Sequence, residues 1–294
     1  MIHYETVKNW KFDDVRYVYT DHDVMLYALA AGLGADPLDR SSLDFVYEKS
    51  LKVLPSFVTL AGAPGLWWRD PRTGADALRV VHGEQHLRFF RPMAPSGVLI
   101  ARNRVESLTD KGEGRGAIGV VVREVFDEST GELIARSTNV SVLRGDGGFS
   151  TKDGKSDAPP PPLRGVPSRE PDATVDLLCR HESALLYRLT GDLNPIHADP
   201  AVARVAGFAE PIMHGLCTYA MACHAVLRAE LAFDPLRLAA MAVRFTAPVY
   251  PGESIHFEIW REPEAARLRL RAKVLARNVT VLDNGVIEIH GGST

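Results

Sequence analysis

Residues 146–172, DGGFSTKDGKSDAPPPPLRGVPSREPD, interrupt an otherwise strand-rich chain near its middle. Proline fixes its own φ, lacks an N–H and pushes the residue before it toward extended backbone. The run Pro159 to Pro162 therefore cannot occupy a helix interior or a central strand. Glycine, serine and charge around the run make the stretch a connector by composition. It divides the 294 residues into 1–150, a linker at 151–170, and 171–294. Each flanking part is long enough to bury a core of its own.

The two parts read alike. In the first, TDHDVMLYALAAGLG predicts a helix starting near Asp21, capped by Thr20 or Asp21 and stopping around Gly32 or Gly34. FVTLAG, LRVVHGEQHLRFF, GVLIARNRVESLT, GAIGVVVREVFDE and ELIARSTNVSVLR follow as predicted strands. In the second, CRHESALLYRLTG predicts a short helix ending near Gly191, and LCTYAMACHAVLRAEL a buried helix over residues 216–231. AAMAVRFTAPV, SIHFEIWREP, ARLRLRAKVLA and VIEIH then return to strands, separated by Pro251-Gly252, Glu262-Pro263 and Asp283-Asn284-Gly285. One helix against an antiparallel sheet, twice over, is an α+β duplication rather than a series of βαβ units.

Composition narrows the function classes. A net charge of -3, with arginine and lysine scattered among acidic residues, gives no basic stripe for nucleic acid. A local pocket for an anion stays compatible with that average. No apolar run approaches the ~20 residues that span a bilayer. The amino end, MIHYETVKNWKFDD, lacks the apolar core of a secretory signal, and the terminal Gly291-Gly292-Ser293-Thr294 carries no retention or import signature. Cys179, Cys217 and Cys223 cannot all pair, which suits a reducing compartment, so the expected location is cytoplasmic.

Chemistry concentrates in TGDLNPIHADP, Thr190 to Pro200. Asn194-Pro195 restricts the backbone path between Asp192 and His197, and a turned loop brings a carboxylate and an imidazole to the ~3 Å reach that proton transfer needs. The same residues suit a second reading, in which Asp192 and Asn194 satisfy backbone donors and Asp199-Pro200 starts a helix. Downstream, Gly215 opens the apolar helix, either as a tight entry or as a backbone donor for developing negative charge. His214, Cys217, Cys223 and His224 have zinc-compatible atoms, but a helix spreads them over more than two turns, so no metal is expected. The glycines from Gly112 precede VVVREVF, which is strand-like rather than the helix a dinucleotide fingerprint requires. No G-x-S-x-G elbow occurs.

YRLTGDLNPIHADP, then Gly207-Phe208 and Pro211-Ile212-Met213-His214-Gly215-Leu216-Cys217-Thr218, resembles the signature of the MaoC-like hydratase 2 family. Asp23 to Leu29, Leu54-Pro55-Ser56-Phe57 and His82 to Leu87 resemble the amino-terminal half of its long members, including the hydratase domain of the peroxisomal multifunctional enzyme. The resemblance implies a double hot-dog fold whose amino-terminal unit accommodates an acyl chain. It implies reversible hydration of trans-2-enoyl-CoA to (R)-3-hydroxyacyl-CoA without a cofactor, CoA being carried as part of the substrate. By resemblance, Asp192 and His197 are the acid/base pair, Asn194 helps position water, and Gly215 supplies the oxyanion donor. It also makes a homodimer an expectation.

A CoA end rich in phosphate makes Arg244, Arg269 and Arg277 candidate rim residues, beside the plainer reading of surface solubility. Leu54, Phe57, Leu87 and Phe90 are candidate walls of an acyl tunnel, beside ordinary core packing. Tyr187 and His214 read as packing residues or supports of the central groups, beside a catalytic reading. The alternatives are an acyl-CoA thioesterase, which would release free CoA, and a non-enzymatic acyl-CoA binding protein, which would have no use for an Asp192-Asn194-His197 cluster.

Overall fold

A computed structural model describes residues 2–290; the terminal glycine-rich tetrapeptide read for an address signal lies outside the described residues. Ten strands form one antiparallel sheet among the described residues. In chain order they are β1 (Val15–Tyr19), β2 (Val80–Phe89), β3 (Gly97–Asp110), β4 (Ala117–Asp127), β5 (Leu133–Leu143), β6 (Ala173–Leu178), β7 (Leu238–Phe245), β8 (Ser254–Glu262), β9 (Arg267–Val274) and β10 (Val279–Ile289). Across the sheet the order is β1-β3-β4-β5-β2-β7-β10-β9-β8-β6. Read inward from each edge, both halves have the same connectivity, since β6-β8-β9-β10-β7 is β1-β3-β4-β5-β2 shifted by five strands. The halves join where β2 pairs with β7, from Glu84 opposite Arg244 to Arg88 opposite Ala240. This is the double hot-dog arrangement.

The duplicated sheets differ in what they wrap. In the second half the helix Gly215–Glu230 is buried continuously from Cys217 to Leu227, and its alanines let the sheet approach closely. Tyr219 at its centre donates its hydroxyl to Met241 O at 2.8 Å, which satisfies the buried polar tip. In the first half the corresponding place holds only the five-residue 3-10 turn Pro55–Thr59. The strand expected for FVTLAG is therefore corrected. Pro55 sits at the start of the turn, and Gly62 closes it at φ 60°, where an added Cβ would overlap the Ala101 side chain. The helix Asp21–Ala30 forms as expected. Thr20 caps it through a reciprocal pair, its hydroxyl accepting from Asp23 N and Asp23 Oδ2 accepting from Thr20 N at 2.8 Å.

A second correction concerns Asp283-Asn284-Gly285, which is a bulge inside β10 rather than a turn between strands. The register against β7 and β9 shifts there, and Asn284 takes φ 55°.

The linker is strapped to the body. Asp157 accepts the Leu108 N–H at 2.7 Å and pairs with Lys8, while Trp260 Nε1 donates to Arg169 O at 2.8 Å. Between these anchors, Pro160 to Pro162 lie against the cavity described next.

Candidate active site

The loop after the short helix Ser183–Arg188 turns on Asn194 and Pro195 into a one-turn 3-10 segment, Pro195–His197. Asp192 Oδ1 accepts the Asn194 N–H at 3.2 Å, Asn194 Oδ1 accepts the Ile196 N–H at 3.4 Å, and Asp199 caps the next helix through Ala201 N at 2.8 Å. The capping geometry read from the sequence is thus present. It coexists with convergence, because one donor atom from each of Asp192, His197 and His214 lies within 4.8 Å of the others. Loop caps fix the backbone, and the fixed backbone aims the side chains at one point.

The imidazoles have defined tautomers. Ile212 O can only accept, so the 2.8 Å contact makes His197 Nδ1 the N–H and leaves Nε2 with its lone pair. His214 Nε2 donates likewise to Asp192 O at 3.1 Å. The two rings stack at 3.7 Å between centroids, and Tyr187 backs His214 at 4.8 Å. Burial lowers the His197 pKa, while the Ile212 carbonyl and the Asp192 charge pull the other way. Burial, reinforced by His197, pushes His214 down to about 4. Near pH 7 both rings are neutral, so His197 presents a base rather than a second cation.

Gly215 is the first residue of the buried helix, and its N–H is among those that the helix itself cannot satisfy. It lines the same cavity of about 670 Å³ as His197. Lys111, Arg144 and Arg244 give this cavity a cationic side, and Pro160 to Pro162 close part of it. Arg244 is steered by Glu84, whose Oε1 accepts from its Nε at 2.9 Å and Nη2 at 2.7 Å. Asp192 lines a second cavity, of about 520 Å³, which runs into the first half beside Thr59, Leu60, Trp67 and Trp68. The Asp192–His197 pair stands between the two cavities.

Several expected contacts lie away from these two cavities. Arg269 is 2% exposed and donates to the carbonyls of Arg164 and Gly165, so it holds the linker and lines neither cavity. Arg277 is taken up by Glu253 and Pro248 O, again outside both cavity walls. Leu54, Phe57 and Leu87 are core, with Phe57 edge-on to Tyr27 at 5.4 Å; they line neither cavity. Phe90 is 43% exposed and borders a separate hollow with Leu51, Met93 and Leu236. Cys217 donates to Ala30 O and the His224 ring bonds Ala31 O. His214, read as packing, does pack, and it also joins the Asp192–His197 group. Sequence reasoning missed Lys111, in the β3–β4 turn, and Arg144, just after β5, which line the cavity without a local signal.

Comparison with known proteins decides the family. Residues 162–283 match a MaoC like domain and residues 17–145 match an MFE-2 hydratase 2 N-terminal domain. "Enoyl-CoA hydratase 2, peroxisomal" of Arabidopsis thaliana is 35% identical, over 97% of this chain and 94% of that protein. The chain belongs to the MaoC-like hydratase 2 family. Within that family, "3-hydroxyacyl-thioester dehydratase Y" of Mycobacterium tuberculosis is 37% identical over 94% of each chain. The crystal structure of a MaoC-like dehydratase from Phytophthora capsici superposes with a TM-score of 0.84 at 26% identity, covering 98% of this chain and 99% of that one. The cytoplasmic placement is overturned by the same comparisons: five relatives of this hydratase 2 chain, the Arabidopsis protein among them, are peroxisomal by name. Composition and a missing secretory core do not report an address that a receptor reads from a few residues.

Proposed function

We propose that this chain adds water across the double bond of a trans-2-enoyl-CoA to give the (R)-3-hydroxyacyl-CoA, with Asp192, His197, Asn194 and Gly215 as its working groups. The enoyl-CoA hydratase-type reaction is that of its relatives by name. The observation that carries the assignment of residues is the convergence of the His197 ring, whose Nε2 keeps its lone pair, with the Asp192 carboxylate; Gly215 lines the cavity that His197 shares.

In the proposed sequence, water sits between Asp192 and His197 with the Asn194 amide beside it. The pair removes one proton as the oxygen bonds C3, and returns one proton to C2. Negative charge gathers meanwhile on the thioester oxygen, where the Gly215 N–H and the positive end of the helix dipole oppose it. The cationic cavity takes the CoA end and the first-half cavity the acyl end, so residues 1–150 accommodate the chain and 171–294 supply the chemistry. The homodimer is part of this proposal and is checked by a sedimentation mass twice that of the chain.

Incubation with trans-2-enoyl-CoAs of graded length and chiral analysis of the product tests the reaction. (R)-3-Hydroxyacyl-CoA is the expected product; stoichiometric free thiol would indicate a thioesterase instead, and tight binding without conversion a carrier. The oxyanion role has a sharper test in Gly215→Pro. Proline suits the first position of a helix, and His214 already has the extended ψ of 131° that a following proline requires. The substitution deletes one N–H and should lower kcat by about 10²–10³-fold, with a circular dichroism spectrum like that of the parent. Full activity in a folded Gly215→Pro protein would remove Gly215 from the mechanism.

A further inference from the structure

The cavity assigned above to the acyl chain has apolar walls, as a hydrocarbon tail would want, but one part of it is polar. On the inner face of the first-half sheet, apolar side chains Leu99, Ala101, Val125 and Ala135 give way, one pair of residues further along the strands, to Asn103, Arg123 and Ser137. Gln85 and Asn139 adjoin them on β2 and β5, and all five line this cavity together with Asp192.

Arg123 is the anomaly among them. It is 6% exposed, yet among the described residues it makes no ion pair. Its Nη2 donates to Thr59 O at 2.8 Å and reaches Ser137 Oγ at 3.3 Å, while Nε is buried with no partner. Burial alone pushes its pKa down to about 10, with no carboxylate to restore it. A buried guanidinium is normally matched by an anion, because an uncompensated charge in a low-dielectric interior destabilises the fold. Core packing does not demand arginine here either, since the neighbouring inward positions on β4 are Val121 and Val125.

We infer that the acyl cavity recognises a tail bearing a carboxylate, so that the preferred substrates are enoyl-CoAs whose far end is anionic and meets the Arg123 guanidinium across the polar floor formed by Asn103, Ser137 and Gln85. This rests on the placement of the acyl end in that cavity, and it adds the class of tail. Planar two-point pairing is the geometry for which a guanidinium surpasses other cations. Trp67 and Trp68 line the same cavity and offer apolar surface to the methylenes of such a tail.

The test uses non-reactive saturated acyl-CoAs of matched tail length, ending in methyl, hydroxyl or carboxylate, titrated calorimetrically into the full chain and into Arg123→Met and Arg123→Gln. The carboxylate-ended series is expected to bind at least about tenfold tighter than the methyl-ended one at some length, and both variants are expected to abolish the difference. Without ligand, Arg123→Met should unfold close to the parent's temperature, because removing an uncompensated buried charge offsets the loss of its bonds to Thr59 O and Ser137 Oγ. Equal binding of methyl and carboxylate tails at every length overturns the inference, as does a preference that survives in both variants. Equal binding of hydroxyl and carboxylate tails overturns its anionic part. Binding is read without turnover, so failure to hydrate the trans-2-enoyl-CoAs would strike the reaction assignment and leave this one standing.

Discussion

Asp192→Asn should lower kcat/KM for a trans-2-enoyl-CoA by about 10²–10⁴-fold, the usual worth of positioned acid/base catalysis, while leaving the thermal midpoint almost unmoved. The amide keeps an oxygen where Asp192 Oδ1 accepts the Asn194 N–H, so the loop retains its bond. Only the capacity to exchange a proton is lost. His197→Asn is the matching change on the other side, since its amide nitrogen can replace Nδ1 as donor to Ile212 O while nothing replaces Nε2. If the two groups act as a unit, the double variant will be little worse than either single one, because the second deletion removes a partner already idle. Multiplying losses would mean that the two act at separate steps. Retained activity in both single variants, with the loop intact, would remove the pair from the chemistry. In the parent, the rate should decline on the acid side only below the ordinary imidazole value of about 6.5, because burial holds His197 neutral to lower pH.

What the sequence disclosed follows physical lines. Strands β2 to β5 and the central helix were legible because long stretches of side-chain periodicity report burial directly. The edge strands β1 and β6 were missed: VRYVY exposes most of its residues, and ATVDLL is short, so neither carries an apolar face long enough to register. FVTLAG is apolar enough for a strand, but a short apolar run does not distinguish a strand from a tight turn, and Pro55 with the left-handed Gly62 decided it. The candidate loop drew attention because its caps and its titratable residues are the same few neighbours, held by Pro195. The cavity walls were not, since they come from places remote in sequence. Arg269 reads as a surface residue until the linker carbonyls cover it, and nothing local singles out Arg123, which faces inward through its register with Asn103 and Ser137. Alternation gives the period of a strand, and tertiary register gives its phase.

Between pH 6.5 and 4.5 the protein should lose stability more steeply than its carboxylates alone would cause. His214 is 1% exposed and His224 3% exposed, and burial pushes each down to about 4. Released into the unfolded chain, each returns to about 6.5. Below that value the unfolded state binds protons that the native state refuses, so unfolding becomes easier as pH falls. The stabilisation is complete above about 6.5 and lost as pH approaches the folded value of about 4. Each proton taken up on unfolding contributes a slope of about 1.4 kcal/mol per pH unit, which two histidines can turn into several kcal/mol of a total stability on the order of 10 kcal/mol. His224 lets the effect be isolated away from the active site. Its Nδ1 donates to Ala31 O at 3.1 Å, Arg228 lowers its pKa further and Asp39 opposes that. Asparagine in its place keeps a donor for Ala31 O and has nothing to protonate. Denaturant unfolding of His224→Asn at half-unit steps from pH 7.5 to 4.5 should give a stability curve shallower than the parent's by about one proton's slope, with the difference vanishing above about pH 6.5. Parallel curves for the two proteins would mean that His224 does not titrate on unfolding, and the acid sensitivity would then belong to other groups.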